Sequence, residues 1–174
     1  MKRISIVLLF FILTTASFAQ MKAQPSNVFI FVADSMYAMH PITSQTEIKK
    51  GWDIQGFNVG RKTKRYFYGK QAKQKVNQTP KFAIFPTTQH LNDYVLVRLN
   101  ERKNARNLPC ANIHDCDYIR IELNTFRIEN LPNFGFAVTP LTPLFPGEYI
   151  LVDITQKSCN EYGDFKAYDF TVTE

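Results

Sequence analysis

The chain is poor in glycine and tryptophan, with seven glycines and one tryptophan among 174 residues. So few glycines exclude a collagen-like repeat and leave no glycine-rich loop that could cradle a phosphate group. The sequence also lacks Gly-x-Ser-x-Gly, His-Glu-x-x-His and Cys-Gly-x-Cys, which are typical of hydrolase, metalloprotease and cysteine-protease sites. The sequence therefore predicts no catalytic residue, no metal and no cofactor, and it favours a non-enzymatic role.

Long apolar runs are absent from the chain after its first 19 residues. The run from Ile4 to Leu13 is too short to cross a hydrocarbon layer of about 30 Å, so no membrane span is expected. It follows two basic residues and precedes the small residues Ser17 and Ala19, which is the layout of a secretory signal peptide. We expect residues 1–19 to be cleaved and the protein to be secreted across the inner membrane, with a periplasmic or extracellular location.

Aromatic and β-branched residues are abundant, and they alternate with polar residues along much of the chain. The alternation has a period of two more often than 3.6, which is typical of strands. The clearest strand candidates are residues 93–99, 118–123, 134–138, 148–154 and 165–172. Weaker candidates are residues 28–32, 52–59, 65–68 and 81–85. So many short strands predict an all-β fold, either an antiparallel sandwich or a barrel.

Two segments depart from the simple strand pattern. The apolar register slips by one residue between Leu123 and Phe126, which predicts a β-bulge or a bend near Asn124 and Thr125. Residues 34–50 contain the one segment that suits a helix, and Pro41 would keep that helix short.

The segment Leu144-Phe-Pro-Gly-Glu-Tyr149 favours a sandwich over a barrel. Pro146 and Gly147 suit the central positions of a type II turn, because proline fixes φ and glycine accepts a positive φ. With Tyr149, the segment resembles the tyrosine corner of immunoglobulin-like domains, whose hydroxyl bonds back to the backbone and locks a crossover between sheets. Leu151 stands where antibody domains carry cysteine, so the resemblance is to the fibronectin-like variety. A Pro-Gly hairpin turn in another β fold is the alternative.

This resemblance implies a division of the chain into three parts. After the leader, residues 20–80 would form a β-rich N-terminal extension or small subdomain, and residues 81–174 an antiparallel immunoglobulin-like β-sandwich. The order of segments in the second half is also similar to uncharacterised secreted bacterial proteins. Neither resemblance implies an activity, because one fold serves many functions.

Three cysteines follow the leader, namely Cys110, Cys116 and Cys159. In an oxidising compartment two of the three should form a disulfide. We predict a bridge between Cys110 and Cys116, which would staple the connection between two strands. A bridge from either residue to Cys159 is the alternative, and it requires the two loops to lie at the same end of the sandwich.

Two groups of residues would instead support a metal site. The spacing Cys-x5-Cys of the first group is wider than that of structural zinc sites. The second group lies near the N-terminus and contains two methionines. The first group is Cys110, His114 and Cys116 with Asp115 or Asp117, and the second is Met36, Met39 and His40.

Positive charge is concentrated between residues 49 and 81, where ten lysines and arginines accompany one acid. Lysine and arginine side chains attract an anionic polymer, and tyrosine faces supply stacking. The alternative is a solvated strand pair in which Phe67 faces the core. Nucleic acid is not an expected ligand after export. The candidate ligand-binding residues are Arg61, Lys62, Lys64, Arg65, Tyr66, Tyr68 and Lys70.

These features predict a secreted, non-enzymatic binding or assembly module of the bacterial cell envelope. It would contact a glycan or a protein through its loops or through the basic stretch. The alternatives are a small hydrolase acting on envelope polymers and a metal-handling β-sandwich. Turnover on glycan and ester panels would reveal the hydrolase, and a copper titration would reveal the metal-handling protein.

Overall fold

A computed structural model describes residues 27–32, 35–49, 52–54, 57–59, 62–86, 90–156, 159 and 164–174, so the expected leader lies outside the described residues. Two single-turn 3-10 helices cover Leu91–Asp93 and Ile113–Asp115. The strands in chain order are β1 (Val28–Val32), β2 (Ser35–Ala38), β3 (Ile42–Thr43), β4 (Gln45–Lys49), β5 (Trp52–Ile54), β6 (Phe57–Val59), β7 (Lys62–Tyr68), β8 (Lys75–Val76), β9 (Phe82–Ile84), β10 (Tyr94–Arg98), β11 (Asn100–Glu101), β12 (Ala105–Asn107), β13 (Tyr118–Arg120), β14 (Phe126–Leu131), β15 (Gly135–Pro140), β16 (Gly147–Asp153) and β17 (Lys166–Val172).

The strands form three main sheets. Sheet I has the order β14-β15-β9-β1-β2, sheet II the order β13-β10-β16-β17-β3, and sheet III the order β11-β12-β7-β4. Neighbours along these orders are antiparallel, whereas β8 lies parallel to β17, and β5 and β6 form a separate two-stranded ribbon. The predicted all-β antiparallel fold class is confirmed, and the packing of sheet I against sheet II is that of a β-sandwich.

The first hydrophobic core lies between sheets I and II. Phe82 of β9 and Phe170 of β17 meet across it, with ring centroids 5.1 Å apart. Because buried apolar area is the main stabilising contribution to a fold, this cluster holds the two sheets together. Its fully buried members include Val28, Ile30, Phe82, Ile84, Val138, Leu151 and Phe170.

A second hydrophobic core covers the opposite face of sheet II. On β10, Val95 and Val97 point into this second core, whereas Leu96 between them points into the first. Sheet III contributes Phe67, whose ring lies edge-on to Phe165 with centroids 6.0 Å apart. The central strands β10 and β16 of sheet II are therefore buried on both faces. This explains why β10 and β16 read as continuous apolar runs rather than as alternating ones.

The predicted irregularity near Asn124 and Thr125 is a bend that carries the chain from sheet II to sheet I. Strand β13 ends at Arg120 in sheet II, and β14 begins at Phe126 in sheet I. The Thr125 hydroxyl donates to the Arg120 carbonyl oxygen, and the Leu141 N–H donates to the Thr125 carbonyl oxygen at 3.0 Å. The apolar register slips because the two halves of the segment face different sheets.

The short helix suggested for residues 34–50 is wrong within the described part of that segment. The chain there forms β2, β3 and β4, which pair with β1, β17 and β7 respectively. Tertiary pairing explains the outcome, because each of these strands completes its backbone hydrogen bonds on a partner strand rather than within a helical turn.

The connection from β15 to β16 also crosses between the sheets, since β15 belongs to sheet I and β16 to sheet II. Pro146 and Gly147 therefore lie at a crossover and not in a hairpin. Gly147 has a φ of +149° and is the first residue of β16. The Tyr149 hydroxyl donates to the Phe145 carbonyl oxygen at 2.9 Å, and the Tyr149 ring stacks on Phe170 with an interplanar angle of 13°. One side chain thus ties the crossover to the first core.

The predicted disulfide between Cys110 and Cys116 is confirmed, with a Cα–Cα distance of 5.3 Å. Because the bridge occupies both sulfur atoms, neither serves the alternative metal site with His114. Cys159 is a free, fully buried thiol in the second core. Within the part of the chain that the structure describes, no helix has the length and apolar character needed to cross a bilayer.

Candidate functional site

Strand β7 carries most of the candidate ligand-binding residues, and its side chains alternate between two faces. Phe67 and Arg65 are 1% exposed, and the Arg65 guanidinium carbon lies 5.2 Å from the Phe165 ring centroid. Lys64, Tyr66 and Tyr68 point the other way, and Tyr68 is 71% exposed. The strand therefore offers a ligand two tyrosines and one lysine, while Arg65 belongs to the packing between sheets II and III.

The strands beside β7 add polar side chains to its outward face. Residues that face each other across an antiparallel pair share one side of the sheet. Opposite Tyr66 stand Gln45 on β4 and Asn107 on β12, and opposite Lys64 stands Glu47. We call this surface the tyrosine face, and it consists of Gln45, Glu47, Lys64, Tyr66, Tyr68 and Asn107.

The two tyrosines form a fixed pair at the centre of the tyrosine face. Their ring centroids are 5.4 Å apart, and the rings meet edge to face at 88°. A side-chain hydrogen bond with Tyr68 raises the pKa of Tyr66, and the nearby carboxylates of Glu47 and Asp164 act in the same direction. The Tyr66 phenol is therefore neutral at physiological pH, and the pair presents hydroxyl groups beside apolar ring surfaces.

A buried ionic network lies behind the end of β7. Arg106 Nη1 contacts Asp169 Oδ2 at 2.7 Å and Glu148 Oε2 at 3.2 Å. Glu148 also accepts from the Thr171 hydroxyl at 2.6 Å and from the Ala72 N–H at 2.9 Å. Every contact in this network is charge-assisted, so the network is rigid and well satisfied.

The same arginine positions the backbone of the tyrosine face. Arg106 donates from Nη2 to the Tyr68 carbonyl oxygen and from Nε to the Gly69 carbonyl oxygen, each at 3.2 Å. These bonds hold the last residue of β7 and the turn that follows it. Arg106 is 2% exposed and is therefore a positioning residue for Tyr68.

A cleft of about 400 Å³ opens beside Tyr68, so this tyrosine borders both the face and the cleft. Met39 at its wall is buried in the first core, whereas Met36 is 47% exposed on β2, so the two methionines of the suggested metal group lie in different environments. The residues that line the cleft are Ala38, Met39, His40, Ile42, Tyr68, Gly69, Gln71, Lys73, Gln74, Arg106 and Asp169.

The structure brings together only some of the residues selected from the sequence. Lys64, Tyr66 and Tyr68 share the tyrosine face, and Lys70 is exposed in the segment that follows β7. Arg61 lies outside the described residues, and Lys62 is the first residue of β7. Sequence reasoning missed the polar partners on β4 and β12, because strand pairing brings them to β7 from distant parts of the chain.

Comparison of the chain with protein-family models, with curated proteins and with solved structures finds no match.

Proposed function

We propose that this protein is a secreted, non-enzymatic binding module of the bacterial cell envelope that binds a neutral glycan on the tyrosine face. The observation that carries the proposal is the pair of half-buried Tyr66 and exposed Tyr68 on the outer surface of sheet III, with amide side chains beside it. Sugar rings present apolar C–H faces that pack on aromatic rings, and their hydroxyls pair with amides and phenols.

The charge on the tyrosine face favours a neutral ligand over an anionic polymer. Arg65 is buried, and Lys64 has Glu47 as its cross-strand partner, so the charges on the six residues that define the tyrosine face balance. An anionic polymer would require several unpaired cations and would bind with a steep dependence on salt. The affinity of a neutral sugar that packs on tyrosine rings should depend little on salt concentration.

The strand order supports an immunoglobulin-like assignment for the domain that carries this face. We take β1, β9 and β10 as strands A, B and C, and β13 to β17 as strands C′, D, E, F and G. With this assignment, sheet I without β2 has the strand order D-E-B-A. Sheet II without β3 reads C′-C-F-G. Immunoglobulin-like domains have these two sheets. They also carry a tyrosine near the start of strand F, whose hydroxyl forms a hydrogen bond with the backbone a few residues upstream. Tyr149 near the start of β16 makes that bond to Phe145.

The envelope location rests on two features. The layout of residues 1–19 is typical of a secretory signal peptide. The Cys110–Cys116 disulfide is of the kind that persists in oxidising compartments outside the cytoplasm.

Calorimetric titration with neutral oligosaccharides derived from glucan, mannan and chitin tests the proposal. Tyr66→Ala and Tyr68→Ala should each weaken binding by about three- to tenfold, which is the contribution of one aromatic contact. Tyr37→Ala is the matched control, because Tyr37 is 53% exposed on β2 of sheet I and does not belong to the tyrosine face.

Heparin in place of the neutral oligosaccharides tests the anionic alternative, read out by its dependence on salt. The proposal fails if no neutral oligosaccharide binds. It also fails if the Tyr37 variant loses as much affinity as the variants of the tyrosine face.

A further inference from the structure

The turn between β14 and β15 holds two non-glycine residues in the left-handed region of backbone conformation. Asn133 has a φ of +58° and Phe134 a φ of +59°. Two consecutive positive φ angles are typical of the type I′ hairpin turn, which favours Asn-Gly. Asparagine suits the first position, but a bulky side chain at the second is a conformational outlier with an energetic cost.

Folding gives Phe134 no compensation for this strain. Its side chain is 89% exposed, more than any other large hydrophobic side chain among the described residues. The glycine that the turn would favour stands one position later, at Gly135. A Cβ atom at that position would overlap the Phe85 ring, so any other residue there would force the ring to shift. The turn thus presents a strained aromatic residue to solvent.

A cleft of about 720 Å³ lies directly beside the Phe134 ring. It has room for an aromatic side chain, and none of its lining residues is charged. A protruding ring and an adjoining uncharged cleft on one hairpin tip form a self-complementary pair. The lining residues are Pro86, Asn130, Leu131, Asn133, Phe134, Gly135 and Phe136.

We propose that two copies of this protein associate through this hairpin tip, with Phe134 of each copy seated in the cleft of the other. A two-fold contact needs one surface that complements itself, and the ring beside its cleft meets that requirement. Because the lining residues of this cleft carry no charge, two copies can approach there although the chain without its expected leader has 19 basic and 15 acidic residues, a formal charge of +4. A lipid surface fits less well, because the lining residues of this cleft include no lysine or arginine for its phosphates.

The size of the contact predicts a weak association. Two buried phenylalanines remove roughly 300–500 Å² from water, well below the 1,200 Å² or so of a stable interface. The dimer is therefore transient in dilute solution and becomes populated where the protein is concentrated. This inference does not depend on the proposed glycan binding.

Sedimentation equilibrium from about 10 µM to about 1 mM protein tests the inference. The parent protein should show an average mass that rises with concentration, and Phe134→Ala should remain monomeric throughout. Leu123→Ala is the matched control, because Leu123 is 80% exposed in the bend between β13 and β14, and it should associate like the parent. A parent protein that is monomeric at the highest concentration, or a Phe134→Ala variant that associates equally well, overturns the inference.

Two further measurements test the strain in the turn and the binding of lipid. Phe134→Gly should raise the Tm of dilute protein by about 2–4 °C, because it relieves the strained turn, while abolishing association. An unchanged or lower Tm would contradict the strain argument. Flotation with neutral phosphatidylcholine vesicles tests the lipid alternative, and Phe134-dependent binding of a monomer to vesicles would overturn the dimer.

Discussion

At the scale of single residues, Glu148 matters most, because a buried carboxylate is held there by three donors. Its replacement by alanine would leave Arg106 beside Asp169 alone and would orphan the Ala72 N–H. Breaking a buried ion pair from one side costs about 3–5 kcal/mol. We therefore expect Glu148→Ala to lower the free energy of unfolding by that amount in a denaturant titration.

The control for Glu148→Ala is the pair between Lys81 and Glu129, whose atoms lie 2.9 Å apart at the surface. Both side chains are well exposed, and exposed pairs contribute about 1 kcal/mol or less. Lys81→Ala should therefore change stability little. If Glu148→Ala and Lys81→Ala lowered the free energy of unfolding equally, burial of the ionic network would not contribute to its effect on stability.

The Cys159 thiol should be inert in the native protein. Burial raises its pKa from 9.0 to about 11, so only about one thiol in a thousand is ionised at pH 8. Because the thiolate is the reactive form, iodoacetamide labelling should be slow and should accelerate roughly tenfold per pH unit until about pH 11. Rapid labelling of folded protein at pH 8, followed by mass spectrometry, would contradict this.

The same shift links Cys159 to stability at alkaline pH. The native state keeps the proton while the unfolded state loses it above about pH 9. The stabilisation is therefore complete below pH 9 and is lost as the pH rises towards 11. Cys159→Ala should show a shallower fall in unfolding free energy across this window than the parent protein.

At the scale of elements, the crossover from β15 to β16 depends on one hydroxyl. Tyr149→Phe keeps the ring on Phe170 and removes only the bond to the Phe145 carbonyl oxygen. We expect a loss of about 1 kcal/mol in unfolding free energy, the usual net contribution of one hydrogen bond. Tyr37→Phe, at an exposed site on β2, is the control and should be neutral. A neutral Tyr149→Phe would show that the ring alone fixes the crossover.

The sequence predicted the strands that have strong apolar patterns and missed those defined by their partners. Residues 148–154 and 165–172 correspond closely to β16 and β17, because their β-branched and aromatic residues favour an extended conformation. Strands such as β11 and β12 are only two or three residues long, and their pairing with each other and with β7 defines them. No local pattern marks such strands.

The tyrosine face was predictable only in part, for the same reason. Tyr66 and Tyr68 stand out in the sequence, but Gln45 and Asn107 reach them through pairing across 21 and 41 residues of chain. In the sequence, Arg106 and Glu148 look like solvent-facing charges. Only the third sheet, which covers sheet II, turns them into a buried network that fixes Tyr68.

At the scale of the whole molecule, the unexpected feature is the third layer. A strand with one polar face packs against another sheet on its apolar side only, which predicts a molecule of two sheets. Strands β10 and β16 instead carry apolar residues on both faces, so a third layer is needed to cover the second face. Sheet III covers the second face, and its strands come from the segment between β1 and β9 and from the segment between β10 and β13. The tyrosine face is the outer surface of this added layer, so its geometry depends on how firmly the layer is attached.

The Cys110–Cys116 bridge lies in the connection from sheet III to sheet II, between β12 and β13. The two cysteines have a sequence separation of 6. For so short a loop, the loss of chain entropy in the unfolded state stabilises the folded protein by about 2 kcal/mol. We expect the double variant Cys110→Ala, Cys116→Ala to lose about that much in unfolding free energy and to keep its β-type circular dichroism.

The control for the bridge is dithiothreitol. Because the Cys159 thiol forms no bridge, the reductant should lower the stability of the parent protein by the same amount and leave the double variant unchanged. Phe67 and the second core hold sheet III independently of the bridge, so glycan affinity should survive reduction if the tyrosine face is the binding site. Unfolding of the parent on reduction would contradict this account, because it would mean that the bridge, rather than apolar packing, attaches the third layer.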